Sequence, residues 1–275
     1  MDKAQATPYV LGHSEPELQR LIEQSRFYGE LTEQFLRSTG LEAGMRVLDV
    51  GCGAGDVSML AGTLVGASGM VLGFDKSPQA VALARRRAEM SGLTNVAFQE
   101  ADLSKLSPHD SFDALIGRLV LMYLPHPAAA LRAIAQHIRP GGIIAFQEMD
   151  MSNARGAPES PLYSKCGKWI IDTFQQAGFE TDMGSKLFTT FREAGLPGPQ
   201  MMLGARIGGG ADMPGYEWTA HTVRSLLPMM ERLGVARAQE VEIETLADRL
   251  RDEVVAGGGV IISPAMIGAW TRKNA

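Results

Sequence analysis

Gly51, Gly53 and Gly55 recur at alternate positions in Val47-Leu48-Asp49-Val50-Gly51-Cys52-Gly53-Ala54-Gly55-Asp56, where an apolar run gives way to a helical one. Glycine at that density suits a backbone that must turn with positive φ and let a ligand approach without meeting a Cβ. A dinucleotide-binding turn spaces its glycines G-x-G-x-x-G so that a pyrophosphate reaches the helix N-terminus. Here the spacing is G-x-G-x-G, and Asp56 follows where a diphosphate's charge would be unwelcome. Further acids stand at the ends of later apolar runs. Asp75 closes Val71-Leu72-Gly73-Phe74, Asp102 follows Asn95–Phe98 in Glu100-Ala101-Asp102-Leu103, and Glu148 follows Ile143–Gln147. A carboxylate at a strand tip is placed to orient a substrate or take a proton from it. For Glu148 the competing role is structural, as a cap on the next turn or a partner for an arginine.

The elements that must carry these residues alternate. Ser14-Glu15-Pro16-Glu17 opens a helix with a Ser cap, a Pro in the first turn and a Glu three residues after the cap, and Gly40 closes it. Strands are expected at Met45–Val50, Val71–Asp75, Asn95–Phe98, Phe112–Ile116 and Gly142–Gln147. Helices are expected between them at roughly 55–65, from Ser77-Pro78 to Gly92, and at about 127–138. Strands and helices at this spacing mean βαβ units, a mostly parallel sheet, and ligands beyond the carboxyl ends of the strands. After residue 150 the pattern loosens. Helices are expected over Leu162–Phe179, Lys186–Ala194 and Pro214–Val254, a sixth strand over Gln200–Ile207, and a seventh over Val260–Trp270 despite Pro264.

Together these features resemble the class I S-adenosylmethionine-dependent methyltransferases of bacterial small-molecule type, whose first motif has the form hydrophobic-L-D-x-G-x-G-x-G. The resemblance covers residues 9–150, and the general plan carries beyond it. It implies a seven-stranded, mostly parallel, doubly wound (Rossmann-like) α/β sheet with an N-terminal lid helix and helical cap insertions. As a single domain, 1–40 would form the lid and first helix and 44–150 the cofactor-binding core. Residues 151–256 would form a partly helical cap with strand six, and 258–275 the C-terminal strand. It implies S-adenosylmethionine as cofactor. Asp75, with Lys76 beside it, stands where the family binds both ribose hydroxyls, a charge-assisted pairing. Asp102, flanked by Ala101 and Leu103, stands where the family reads the adenine edge. Asp49 would support the amino-acid end, with Gly51, Cys52 and Gly53 forming the turn itself. Arg139-Pro140-Gly141-Gly142 matches the family's P-G-G turn. Tyr9-Val10-Leu11-Gly12-His13-Ser14 and Arg20–Gln24 resemble the lid and first helix, so Tyr9 and Gln24 are cofactor candidates. Arg118 is placed either to face the cofactor's carboxylate or to form a surface ion pair.

The remaining chemistry-bearing residues have plainer alternatives. Cys52 inside the turn fills a small space more readily than it acts as a nucleophile, which would need an electropositive, exposed setting. His13 on the lid and His221 in the later helical region are the histidines placed for catalysis, each weighed against a satisfied structural role. His109 and His137 read as inert, and His126 as shaping a turn. The histidines are scattered and the two cysteines far apart, so no metal-ligand spacing is visible and no metal is expected. Leu162, Trp169, Ile170 and Phe174, with Tyr216, Trp218, Leu226, Met229 and Met230, read as core packing first. As a second role they suit a cap over an apolar acceptor pocket.

The 275 residues allow one large α/β domain, and 26 Lys and Arg against 31 Asp and Glu give a net charge of -5. That balance argues against a phosphate backbone as main partner. Gly117-Arg118-Leu119-Val120 also lacks the Pro-Pro-aromatic motif of amino-group DNA methyltransferases. No apolar run reaches membrane-spanning length, and the N-terminus lacks a signal core, so a cytoplasmic protein with no membrane partner is expected. Two cysteines leave no disulfide framework. The partner expected is a small-molecule acceptor in bacterial specialised metabolism, with a homodimer left open. Three alternatives stay beside it: an RNA methyltransferase on the same fold, a non-methylating cyclase or regulatory protein that binds the same cofactor, and an NAD-dependent oxidoreductase.

Overall fold

The structure, a computed structural model, describes residues 15–101 and 111–274, with side chains from residue 23 onward. Tyr9, His13, Asp102 and Leu103 lie outside the described residues. The chain runs α1 (Glu15–Ser38), β1 (Arg46–Val50), α2 (Asp56–Val65), β2 (Met70–Asp75), α3 (Pro78–Met90), β3 (Val96–Glu100), β4 (Phe112–Arg118), α4 (Pro127–Ile134) and β5 (Ile138–Asp150). It continues through β6 (Arg155–Ala157), α5 (Pro161–Gln176), α6 (Met183–Glu193), β7 (Gln200–Gly204), β8 (Ile207–Gly208) and α7 (Gly215–Leu233). The last elements are α8 (Ala238–Val241), α9 (Leu246–Ala256), β9 (Val260–Ile262) and β10 (Ala265–Arg272).

Seven strands form one sheet in the order β3-β2-β1-β4-β5-β10-β7. β1 to β5 pair in parallel, and β10 is antiparallel to both β5 and β7. The strand order reverses beside β1, where β2 lies on one side and β4 on the other, so a crevice opens beyond the tips of β1 and β4. Alternate residues feed two cores. Leu48, Val50, Leu115, Ile144 and Phe146 join a large cluster with α4, α5, α6 and α7. Val47, Ala114, Ile116, Ile143 and Ala145 join a second with α1 and α2. Both faces of these strands are covered, which is why their sequences are continuous apolar runs. The helix starts are local: the Ser77 hydroxyl accepts from Ala80 N–H with Pro78 in the first turn, and Ser160-Pro161 repeats the device at α5.

The structure redraws several boundaries. β5 runs from Ile138 to Asp150, so the Pro140-Gly141-Gly142 turn lies inside it as an irregularity: the register steps from Phe112↔Ile138 to Ala114↔Ile143, with Gly141 at φ 73°. The expected sixth strand ends at Gly204, and Ile207-Gly208 belongs to a separate three-stranded sheet, β6-β9-β8. The expected seventh strand breaks at Pro264, which has no N–H to give the ladder. Before it β9 pairs with β6, and after it β10 pairs with β5, so one antiparallel pair passes from the large sheet to the small. The long helix expected over 214–254 is α7, α8 and α9, interrupted at Gly234, a left-handed C-cap.

Candidate functional site

The glycine turn is built as its spacing implies. Gly51, Gly53 and Gly55 have φ of 66°, 52° and 85°, conformations that L side chains rarely hold. A Cβ on Gly51 would stand 2.6 Å from Val120 Cγ2, and one on Gly55 would stand 2.8 Å from Phe98 Cζ. The turn is pinned from β2: Cys52 N–H donates to the Phe74 carbonyl at 2.9 Å, and Gly53 N–H donates to Asp75 Oδ2 at 2.9 Å. Ser77 N–H donates to Asp75 Oδ1, also at 2.9 Å. Each oxygen of Asp75 thus accepts one backbone hydrogen and keeps a lone pair for a ligand. Lys76 beside it is exposed, and Ala101 N–H is used by the Asp75 carbonyl at 3.1 Å.

Arg87 was not singled out by the sequence reading, and it clamps this turn from α3. Its guanidinium donates to the Ala54 carbonyl at 2.7 Å and pairs with Asp56 at 2.5 Å. Asp56 is therefore a structural partner at the start of α2 as well as an obstacle to a diphosphate. The run Arg85-Arg86-Arg87 in an otherwise amphipathic helix was the available signal.

Asp49 lies beneath the turn with 1% of its surface exposed and accepts the Ser58 hydroxyl at 2.5 Å. Burial pushes its carboxyl up to about 7, against the opposing pull of the Ser58 hydrogen bond and the Arg118 charge. Arg118, at the tip of β4, is half-buried and donates to Thr32 Oγ1 at 3.1 Å, which in turn donates to Gln147 Oε1 at 2.8 Å. Through its bond to Thr32 it reaches α1. Cys52 is buried, and burial, with the Asp49 and Asp75 charges, raises its thiol well above the ordinary value. A thiol held protonated in this way is a filler of space.

Past Arg118 the chain enters Leu119 at φ 55° and a short 3-10 turn, Leu121–Tyr123. Glu148, fully enclosed, holds that turn: its carboxylate accepts N–H hydrogens from Val120 at 2.9 Å, Leu121 at 2.8 Å and Met122 at 3.4 Å. Burial pushes this carboxyl up to about 7, and the three N–H groups oppose the shift. His221, on α7, pairs through Nδ1 with Glu23 of α1 and stands 3.9 Å from Glu217 through Nε2.

Between this turn and the helical cap lies a narrow cavity of about 50 Å³, open to solvent at its mouth. Its walls include Leu119, Met122, Tyr123, Met149, Phe174 and Trp218, with Gln24 from α1 at 7% exposure. The structure therefore brings Gln24, Arg118 and Glu148 to the tips of β4 and β5, and leaves His221 on the neighbouring α1–α7 seam. Among the described residues, no three His, Cys, Asp or Glu side chains cluster so as to hold a metal ion.

Residues 41–195 match the methyltransferase domain family. Trans-aconitate 2-methyltransferase of Methylobacterium nodulans is 40% identical over 111 residues, 40% of either chain. A 2-heptyl-1-hydroxyquinolin-4(1H)-one methyltransferase of Mycobacteroides abscessus is 27% identical over 208 residues, 68% of this chain and 81% of that one. The chain spans less than half the length of several curated relatives it matches. The YcgJ protein of Bacillus subtilis shares the fold, with a TM-score of 0.58 at 19% identity over 90% of this chain and 99% of that one. The matched stretch holds the glycine turn, Asp75, Arg118 and Glu148, and through it this chain belongs to the methyltransferase domain family, in its class I, S-adenosylmethionine-dependent form.

Proposed function

We propose that this protein transfers a methyl group from S-adenosylmethionine to an O, N or C nucleophile of a small, fairly apolar molecule, a chemistry suited to bacterial specialised metabolism. The observation that carries this reading is the adjacency of two sites. Val120, whose side chain abuts Gly51 in the glycine turn, lies between Leu119 and Met122, both walls of the apolar cavity. A cofactor laid along the turn is thereby next to an acceptor held in the cavity.

The residues present fit that cofactor. Beside the turn, Asp75 offers one unused lone pair on each oxygen to vicinal hydroxyls. When bound, S-adenosylmethionine supplies a methyl group on a sulfonium, already a good leaving group. Held along the turn with its hydroxyls on Asp75, it would supply an electrophilic methyl group whose transfer leaves a neutral thioether behind, the acceptor giving up a proton in exchange. What the protein adds is alignment and exclusion of water. Asp49 is buried beneath the turn within reach of the charge on the half-buried Arg118, and Gln24 borders the cavity from α1. Glu148 enters as the group that fixes the 120–122 turn, and His221 as a link between α1 and α7.

Two relatives bear on the acceptor. One is named for a tricarboxylate and the other for an alkylated quinolone. The cavity's mainly apolar wall favours an acceptor of the second kind.

Calorimetry should show binding of S-adenosylmethionine and S-adenosylhomocysteine. Asp75→Ala should weaken both by about 1.5–3 kcal/mol, the scale of a charge-assisted hydrogen bond. Tight NADH binding without a response to S-adenosylhomocysteine would end this reading.

A further inference from the structure

Toward the strand tips, the side of the sheet that faces α1 turns polar. Val47, Ala114, Ile116, Ile143 and Ala145 pack against α1 and α2, and side chains alternate along a strand, so Asp49, Arg118 and Gln147 continue the same face. Gly117 pairs with Val50, which sets Arg118 level with Gly51 at the start of the glycine turn. Gln147 is the register partner of Arg118 on β5. Thr32 closes the group from α1. It accepts from Arg118 Nη1 at 3.1 Å and donates its single hydroxyl hydrogen to Gln147 Oε1 at 2.8 Å. With that hydrogen committed, the Thr32 oxygen meets the guanidinium only as an acceptor. Thr32, Asp49 and Gln147 are 1%, 1% and 2% exposed, whereas Arg118 is only half-buried. Of these four side chains the guanidinium is the one that reaches solvent, and it does so beside the glycine turn.

The arrangement is that of a held cation. Arginine offers its N–H donors in a planar fork that matches a carboxylate, and fixing the fork beforehand lowers the ordering cost of binding. A threonine hydroxyl orients the guanidinium without cancelling its charge, as a carboxylate in its place would. Burial of Asp49 pushes its carboxyl up to about 7, which weakens it as a counter-charge near neutral pH. Asp75 stands at the tip of β2, on the other flank of β1, two strand spacings or about 10 Å from β4. A ligand lying over the turn thus meets a carboxylate suited to hydroxyls on one flank and a guanidinium suited to an anion on the other.

We propose that Thr32 is a positioning residue for cofactor recognition: anchored by Gln147, its hydroxyl aims the Arg118 guanidinium at the carboxylate on the amino-acid end of S-adenosylmethionine. This rests on the methyltransferase reading and deepens it, because it gives α1 a part in recognising one end of the cofactor. Thr32 lies outside residues 41–195, the stretch that matches the family, while Arg118 and Gln147 lie inside it.

The test compares, by calorimetry, S-adenosylhomocysteine with S-adenosyl-3-thiopropylamine, the same molecule without its carboxylate. Wild-type protein should bind S-adenosylhomocysteine about 10²-fold tighter, the scale of a hydrogen-bonded charge pair. Thr32→Val, which keeps the shape and removes the hydroxyl, should cut that ratio about 10-fold, and Thr32→Ser should restore it. A general loosening of the site would weaken both ligands alike and leave the ratio unmoved. In the wild-type protein, without any variant, S-adenosylhomocysteine and not the amine should shift the Arg118 side-chain N–H resonances. Equal binding of the two ligands, a ratio that survives Thr32→Val, a ratio that Thr32→Ser does not restore, or Arg118 resonances that respond alike to both would each overturn the inference. Failure of both ligands to bind the wild-type protein would instead overturn the methyltransferase reading.

Discussion

Asp49 and Glu148 are each almost wholly enclosed, and burial pushes both carboxyls up to about 7. In the unfolded chain they would titrate near 3.8 and 4.5. Between those values and 7 the folded protein keeps protons that the unfolded chain has lost. Their contribution to stability is therefore greatest below about pH 4, falls as pH rises, and levels off above 7. For Glu148 the shift corresponds to roughly 3 kcal/mol. Urea denaturation at pH 5 and pH 8 should show the wild type losing stability with rising pH, and Glu148→Gln losing distinctly less. An identical pH slope in the two proteins would remove this carboxyl as the source. Turnover of the same variant separates its two roles: a drop of about 10²-fold with unchanged cofactor affinity is the mark of an acid–base group. How far such roles are legible in sequence depends on reach. The glycines and Asp75 could be read because a positive φ and a strand-end acid are local demands. Glu148 could be placed at a strand tip, but the N–H groups it holds lie 26 to 28 residues away in the chain. The hold of Thr32 on Arg118 spans 86 residues and has no sequence signature.

At the scale of elements, the close approach of α1 to β10 makes the sharpest demand. A Cβ on Gly268 would stand 2.2 Å from Phe35 Cδ2, in the layer where Phe35 meets Trp270 edge-on. Gly268→Ala should destabilise the protein by about 1–3 kcal/mol or more, the usual cost of overpacking, and thermal unfolding will measure it. Wild-type stability would mean that α1 can withdraw from the sheet at little cost. Of the first five strands, β1, β2, β4 and the later part of β5 were legible as apolar runs buried on both faces, while β3, at the sheet edge, buries only Phe98. Of the later strands, β7 and most of β10 fell within expected strands, whereas β6, β8 and β9 were not told apart, since they are two or three residues long and carry almost no periodicity. Pro264 was visible as an anomaly in an expected strand. Its meaning, a passage from one sheet to another, required knowing that β5 makes the same passage into β6.

For the molecule as a whole, a net charge of -5 and an apolar cavity predict weak, unselective binding to duplex DNA and structured RNA at physiological salt. A sub-micromolar, sequence-dependent gel shift would contradict this. The part of the chain that matches the family holds the glycine turn and most of the cavity wall, while Gln24, Trp218, Thr222 and Pro264 of that wall lie outside it. The turn could be read from a local motif, whereas the cavity is assembled from side chains far apart in the chain and could not. The position of β10 between β5 and β7 has a consequence for synthesis. A nascent chain emerging from the ribosome can lay β1 to β5 together early, but β7 has no strand to join until β10 has been made. In that interval the open edges of β5 and β7, with Met201 and Leu203 on the latter, are available to other chains. The last step of sheet assembly, the insertion of β10, thus closes the β5 edge and one side of β7, leaving the outer side of β7 as the edge of the finished sheet.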